Sequence, residues 1–168
     1  MPHAAAHIIV PLVLMSLIRD RLIKKKGRKH FPLHYVLIAG IAGLIPDIDI
    51  IAFWILHFFG FTIQEVHRTF MHSVFIPIIL LFCAAIFSKN QMIMLKKHQL
   101  KVQIIFLMLA FGSLVHLLMD AILQGQIMPF YPFSNYPIGL NLFGYLPKAL
   151  EVIAAPSLDA GLLIIYII

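Results

Sequence analysis

A chain of 168 residues is enough for one domain, and this one is 61% hydrophobic with a mean hydropathy of +0.96 and only 12% charged residues. A soluble domain is roughly 45–50% apolar, so composition excludes a water-exposed globule and points to an integral membrane protein. The net charge of +6 is concentrated: seven of the 13 Lys+Arg lie in Arg19–Lys29 and four more between Lys89 and Lys101. Short basic loops between apolar runs are topology signals that meet anionic headgroups; with no nucleic-acid motif beside them, no nucleic-acid partner is expected.

Five apolar segments follow in chain order: about Ala4–Ile18, Leu33–Phe61 with an interruption at Pro46, Ser73–Phe87, Val102–Leu123 and Leu150–Ile168. A span needs about 20 residues, which makes the first and third marginal. The expectation is an all-α, multi-spanning helix bundle of about four to five spans, a single domain over 1–168. No basic region precedes the first apolar stretch, so a cleaved signal peptide is not expected. The single cysteine, Cys83, excludes an intramolecular disulfide. Between the last two segments, "GQIMPFYPFSNYPIGLNLFGYLP" is rich in Pro, Gly and aromatics, a composition suited to an interfacial or re-entrant loop.

The positive-inside rule puts basic loops 19–30 and 88–101 in the cytoplasm. Alternation then places the N-terminus and the 62–71 and 124–149 loops outside. On this topology His7, Asp47, Asp49, His67, His72, His116 and Asp120 all fall in the outer half or at the outer rim. They can meet there as a metal site near the outer face of the membrane.

The spacing fits metal chemistry. His116 and Asp120 are i, i+4, on one helix face. Asp47 and Asp49 would diverge on a regular helix, but Pro46 just before them breaks the hydrogen-bond ladder and lets both turn inward. His67 and His72 are five apart, so one should come from a loop and one from a helix start. Imidazoles and carboxylates ligate zinc, manganese or iron. A carboxylate at the centre of a membrane helix costs roughly 2.5–3.5 kcal/mol. Two divalent cations would offset the three negative charges of Asp47, Asp49 and Asp120.

Plainer roles compete. Asp47 can cap the helix that restarts after Pro46. Glu65, close to His67, is a possible further ligand. His3, His30, His34, His57 and His98 lack carboxylate partners at useful spacing and read as interfacial. Asp159, after Pro156 and Ser157, reads as a helix-start residue.

The ordered set of an early His, "LIPDID", "HRTFMHS", "HLLMD" and "PFYPFS" resembles the YdjM-like family of membrane-bound metal-dependent hydrolases, over about residues 1–135. That family is grouped with the all-helical, multi-zinc phospholipase C and nuclease superfamily. Its pattern has an N-terminal His, PDxD, an HRGxTHS-like element and an HxxxD helix followed by a proline-aromatic segment. By match, the resemblance implies metal ligands at His7, Asp47, Asp49, His67, His72, His116 and Asp120, and it includes Arg68 and Ser73. Thr69 stands where the pattern has Gly and Met71 where it has Thr, which bears on loop shape.

The expected function is therefore hydrolysis of a phosphoester or phosphodiester in a lipid or amphiphilic substrate, by water activated on two or more divalent ions, zinc foremost and manganese as an alternative. Asp49 would act as general base and Arg68 would steady a phosphoryl oxygen. Membrane lipids are the expected surroundings and a possible substrate. The competing reading is non-enzymatic: a metal-ion transporter or metal-dependent scaffold, since intramembrane Asp and His also mark ion pathways. A metal-free lipid phosphatase is disfavoured because no PSGH-like element with an upstream basic pair is present. The sequence sets neither substrate nor oligomeric state.

Overall fold

The computed structural model describes residues 4–27, 31–67, 69–88, 94–95, 100–125 and 127–167. Its helices are α1 (Ala4–Lys26), α2 (Leu33–Ala42), α3 (Asp49–Leu56), α4 (Ile63–Val66), α5 (Phe75–Ser88), α6 (Val102–Leu123) and α7 (Lys148–Ile167). Short 3-10 turns at Pro46–Ile48, His57–Phe59, Phe70–His72 and Leu142–Tyr145 join them. Two short strands depart from the helical pattern among the described residues, β1 (Met94–Leu95) and β2 (Leu100–Lys101), paired antiparallel.

By length and composition, α6 and α7 qualify as membrane spans. A third arises if α2 and the Pro46–Phe59 segment, bent by 48° at their junction, count as one broken span. The expected four to five spans therefore reduce to two or three helices that meet the criteria among the described residues. Hydropathy marks apolar length, not helix length, and the two marginal segments miss for different reasons. The 14 residues of α5 rise only about 21 Å at 1.5 Å each, short of a hydrocarbon core of about 30 Å. The other, α1, runs eight residues past Ile18 into the basic stretch, because Lys and Arg are good helix formers.

Helices α1, α2 and α6 pack around a core of Met15, Tyr35, Val36, Ala39 and Met108, with Phe31 and Leu100 closing one end. At that end the Lys101 amide donates to the Tyr35 hydroxyl at 2.7 Å, and Arg19 Nε donates to the Phe31 carbonyl at 3.1 Å. This is the end that carries the basic loops. Small residues let the helices approach closely, as membrane helices require. A Cβ on Gly112 would strike the Ala39 carbonyl and the Ala42 Cβ; one on Gly43 would strike the His7 carbonyl, with Pro11 Cγ 3.0 Å away.

Asp159 lies inside α7, not at a helix start, and Pro156 is also inside that helix. Proline is tolerated in membrane helices where neighbouring groups re-satisfy the backbone. The Asp159 carboxylate accepts the Ala6 amide at 2.9 Å. The first turn of α1 has no acidic residue of its own, so α7 supplies an acceptor for one of the amides that a helix N-terminus leaves unpaired within the helix.

The proline-aromatic segment is non-helical over most of its length. It is tied down by an Ile127–Ile138 bridge, by Val74 N–H to the Pro129 carbonyl at 2.9 Å and by Leu140 N–H to the Ala121 carbonyl at 2.7 Å. It thus folds over the start of α5 and the end of α6.

Candidate metal centre

The end of the bundle opposite the basic loops holds the polar residues. Helix α1 brings His7, the Pro46–Ile48 turn brings Asp47, and the start of α3 brings Asp49. His67 closes α4, His72 closes the 3-10 turn before α5, and His116 and Asp120 lie one turn apart on α6. His7, Asp49, His72, His116 and Asp120 are buried, His72 and His116 completely. All seven predicted positions therefore meet in one contact network.

The network has a centre. His116 Nδ1 lies 2.6 Å from the Gly43 carbonyl and His72 Nδ1 lies 3.1 Å from Asp49 Oδ2. A carbonyl or carboxylate oxygen only accepts, so both Nδ1 atoms donate and both Nε2 atoms face the other way. Those Nε2 atoms are 3.3 Å apart. Each is 3.5 Å from Asp120 Oδ2 and 3.7 Å from Asp47 Oδ1. Two imidazole lone pairs this close together, with carboxylate oxygens beside both, need a proton or a cation between them. The His72–His116–Asp120 triangle, 3.3–3.5 Å on a side, suits the cation, because ligand atoms around an ion with bonds of about 2.0–2.1 Å stand about 3.3–3.4 Å apart. Burial works against a charged imidazole at His72, but hydrogen bonds to the Asp120 and Asp49 carboxylates outweigh it and raise its pKa to about 9.

Around this centre the remaining groups set orientation. Asp49 receives His67 Nδ1 at 2.9 Å on one oxygen and His72 on the other. That is the carboxylate–histidine relation that fixes tautomer and ring angle in metal sites. His7 Nε2 is 3.4 Å from Asp120 Oδ1, and its ring stacks on His116 with centroids 3.8 Å apart. Three residue groups have ligand atoms mutually within 4.8 Å: His7, Asp47, His116; Asp47, His67, His72; and His72, His116, Asp120. Buried His and Asp groups here can hold a metal ion. Asp49, expected as both ligand and base, belongs to none of these groups among the described residues; its two oxygens serve the histidines.

Other expectations resolve locally. Asp47 does not cap: neither the Pro46–Ile48 turn nor α3 has a side-chain cap. Glu65 is not in the cluster. Its Oε2 accepts the Thr62 amide and hydroxyl, each at 2.8 Å, in a capping box. The T-x-x-E spacing before α4 was the signal that could have shown this. These two bonds hold the Glu65 carboxyl below the ordinary glutamate range. Ser73, buried, donates to the Phe70 carbonyl at 2.7 Å and braces the turn carrying His72. His34 and His57 are exposed, away from the site. Arg68, His3, His30 and His98 lie outside the described residues.

Fold and site together define a helical membrane protein with a buried His/Asp cluster at one end of its bundle. The family model described as YdjM inner membrane protein matches residues 1–166, and the chain belongs to that family. No curated protein and no solved structure matches it.

Proposed function

We propose that the protein is a membrane-bound, metal-dependent hydrolase acting on a phosphoester or phosphodiester of a lipid or amphiphile. The observation that carries this reading is the pair of Nε2 atoms of His72 and His116, 3.3 Å apart, each 3.5 Å from Asp120 Oδ2 and 3.7 Å from Asp47 Oδ1. His72, His116, Asp120 and Asp47 would hold a divalent ion, zinc foremost and manganese as alternative. His7 and His67 lie where they extend the ligand set toward a second. Such an ion, when bound, lowers the pKa of a water toward neutrality and polarises a phosphoryl oxygen.

The chain's own residues do the rest. Asp49 holds His67 and His72 in one tautomer through their Nδ1 protons. The Gly43 carbonyl does the same for His116. With Asp49 occupied, the base role passes to Asp47, whose side chain is 25% exposed and whose contacts to His72 and His116 are 3.7 Å each. Its carboxylate accepts the water proton. Arg68, next to His67 in sequence, supplies positive charge for the developing phosphoryl oxyanion. The site lies at the end of the bundle away from the basic loops, which by the positive-inside rule supports an orientation toward the outer face. Membrane lipids surround it.

The test is metal content by ICP-MS of the detergent-purified protein beside a His116→Ala/Asp120→Ala variant, followed by assay on phosphodiester and phospholipid substrates. Tightly held zinc or manganese lost in the variant, with hydrolysis lost alongside it, supports the reading. Wild-type protein that holds no metal sinks it. Metal retained without hydrolysis of any substrate moves the assignment to a transporter or scaffold.

A further inference from the structure

A cavity of about 340 Å³ lies beside the cluster, between one face of α3 and the α4–α5 connection. Asp49, Ala52 and Leu56 line one wall, spaced along a single stripe of α3; Phe61, Val66 and Phe70 line the other. Glu65 and Thr69 also contribute. Thr69 Oγ1 donates to the Val66 carbonyl at 2.6 Å. Both polar ends are thus engaged locally, and the walls are otherwise apolar. The volume falls in the range of ligand pockets, which are mostly apolar with a few polar groups at one end. Here the polar end is Asp49, whose carboxylate orients the histidines of the cluster, and the rest of the cavity is apolar, with exposed Ile48, Phe61 and Phe70 in its walls. A wholly apolar groove across Ile48, lined by Ile38, Ile41, Ile45 and Ile105 among others, has no member of the metal cluster in its walls.

We propose that this cavity receives an acyl chain of a membrane glycerophospholipid, the headgroup end lying at the metal centre and the chain running along the Asp49–Ala52–Leu56 stripe. The inference rests on the hydrolase reading for the headgroup's fate but not for the binding of the chain. Three observations favour a chain over a polar ligand: apolar walls, one polar terminus continuous with the site, and an opening on a helix of the candidate broken span. A phospholipid already lying in the leaflet reaches such a cavity sideways, without leaving the bilayer.

The experiment uses the full chain in vesicles containing phosphatidylglycerol with a photoactivatable diazirine on one acyl chain, and mass-spectrometric mapping of adducts. Ala52 is an exposed residue on the cavity wall, so Ala52→Trp fills the space without touching the core. The expected result is adducts concentrated on 52–56 and 61–71 that fall about tenfold in Ala52→Trp, the worth of roughly two buried methylenes. Ile41→Trp, in the apolar groove, should leave them unchanged. Adducts spread evenly over the lipid-facing helices, or unchanged by Ala52→Trp, overturn the proposal. Because labelling needs no turnover, a failed hydrolysis assay with localised adducts rejects the enzyme reading and keeps the chain site. Active enzyme with unlocalised adducts does the reverse.

Discussion

His116 Nδ1 and the Gly43 carbonyl oxygen are 2.6 Å apart, the shortest polar contact to the cluster from a backbone group. The bond joins α6 to the end of α2 and fixes which imidazole nitrogen faces the His/Asp cluster. Gly43 also lies against α1, where a Cβ would strike the His7 carbonyl. One residue therefore sets both the chemistry of His116 and the distance of His7.

Gly43→Ala should accordingly damage both. The added methyl meets the His7 carbonyl and Pro11, and forcing it in costs about 1–3 kcal/mol as overpacking. Thermal melts in detergent should show the destabilisation, and metal analysis should show weaker retention because His7 moves off Asp120. Gly112→Ala is the comparison: it crowds Ala39 and Ala42 at the α2–α6 contact, away from His7, so it should lower the melting temperature with a smaller effect on metal.

Asp49→Asn tests the orienting role. Asparagine keeps the shape but loses the charge that draws the Nδ1 protons of His67 and His72. Loss of such an outer carboxylate costs about 10–100-fold in metal affinity or activity. Competition with a calibrated chelator would measure it. If Asp49 were itself a principal ligand, the variant would lose metal altogether.

Metal uptake should be proton-linked through His72. Its raised pKa, about 9, reflects carboxylates that favour the imidazolium, and a ligand nitrogen must be deprotonated. Below pH 9 an incoming ion therefore displaces a proton, and affinity should fall by about tenfold for each unit the pH drops, one proton per ion. Calorimetry in two buffers of different ionisation enthalpy would count the protons. Affinity flat between pH 7 and 9 would exclude His72 as a ligand.

Asp159→Ala should loosen the start of α1, costing about 0.5–2 kcal/mol as the loss of a helix N-terminal acceptor. Asp159→Asn should recover most of it, since the amide oxygen still accepts the Ala6 N–H. Hydrogen exchange over residues 4–8 is the readout, with faster exchange expected in the alanine variant alone.

Much of this arrangement can be read from residue order, and the failures have physical causes. The α6 boundaries follow hydropathy directly, and i, i+4 periodicity suffices to pair His116 with Asp120. Pro46 announces the break that lets Asp47 and Asp49 share a side. The depth of α1 is not legible from hydropathy, because lysines and arginines end an apolar run without ending a helix. Asp159 misleads because Pro156 reads as a boundary in a soluble context, and its partner, Ala6, is 153 positions away. A pair of two-residue strands is too short for a period-2 pattern to register. Glu65 carries a local signal, its spacing from Thr62, which nearness to His67 hides.

The absent side chain at Gly43 has one more consequence. Docking α1 onto α2 delivers His7, and docking α6 onto the same glycine delivers His116 and Asp120, so assembly of the bundle and assembly of the cluster are the same event. A chain inserted in the bilayer but not yet packed carries the His116–Asp120 pair apart from His7, Asp47 and His72, and the site cannot form ahead of the tertiary structure. Retained metal would then certify a correctly assembled membrane fold, as a watermark certifies the sheet that bears it.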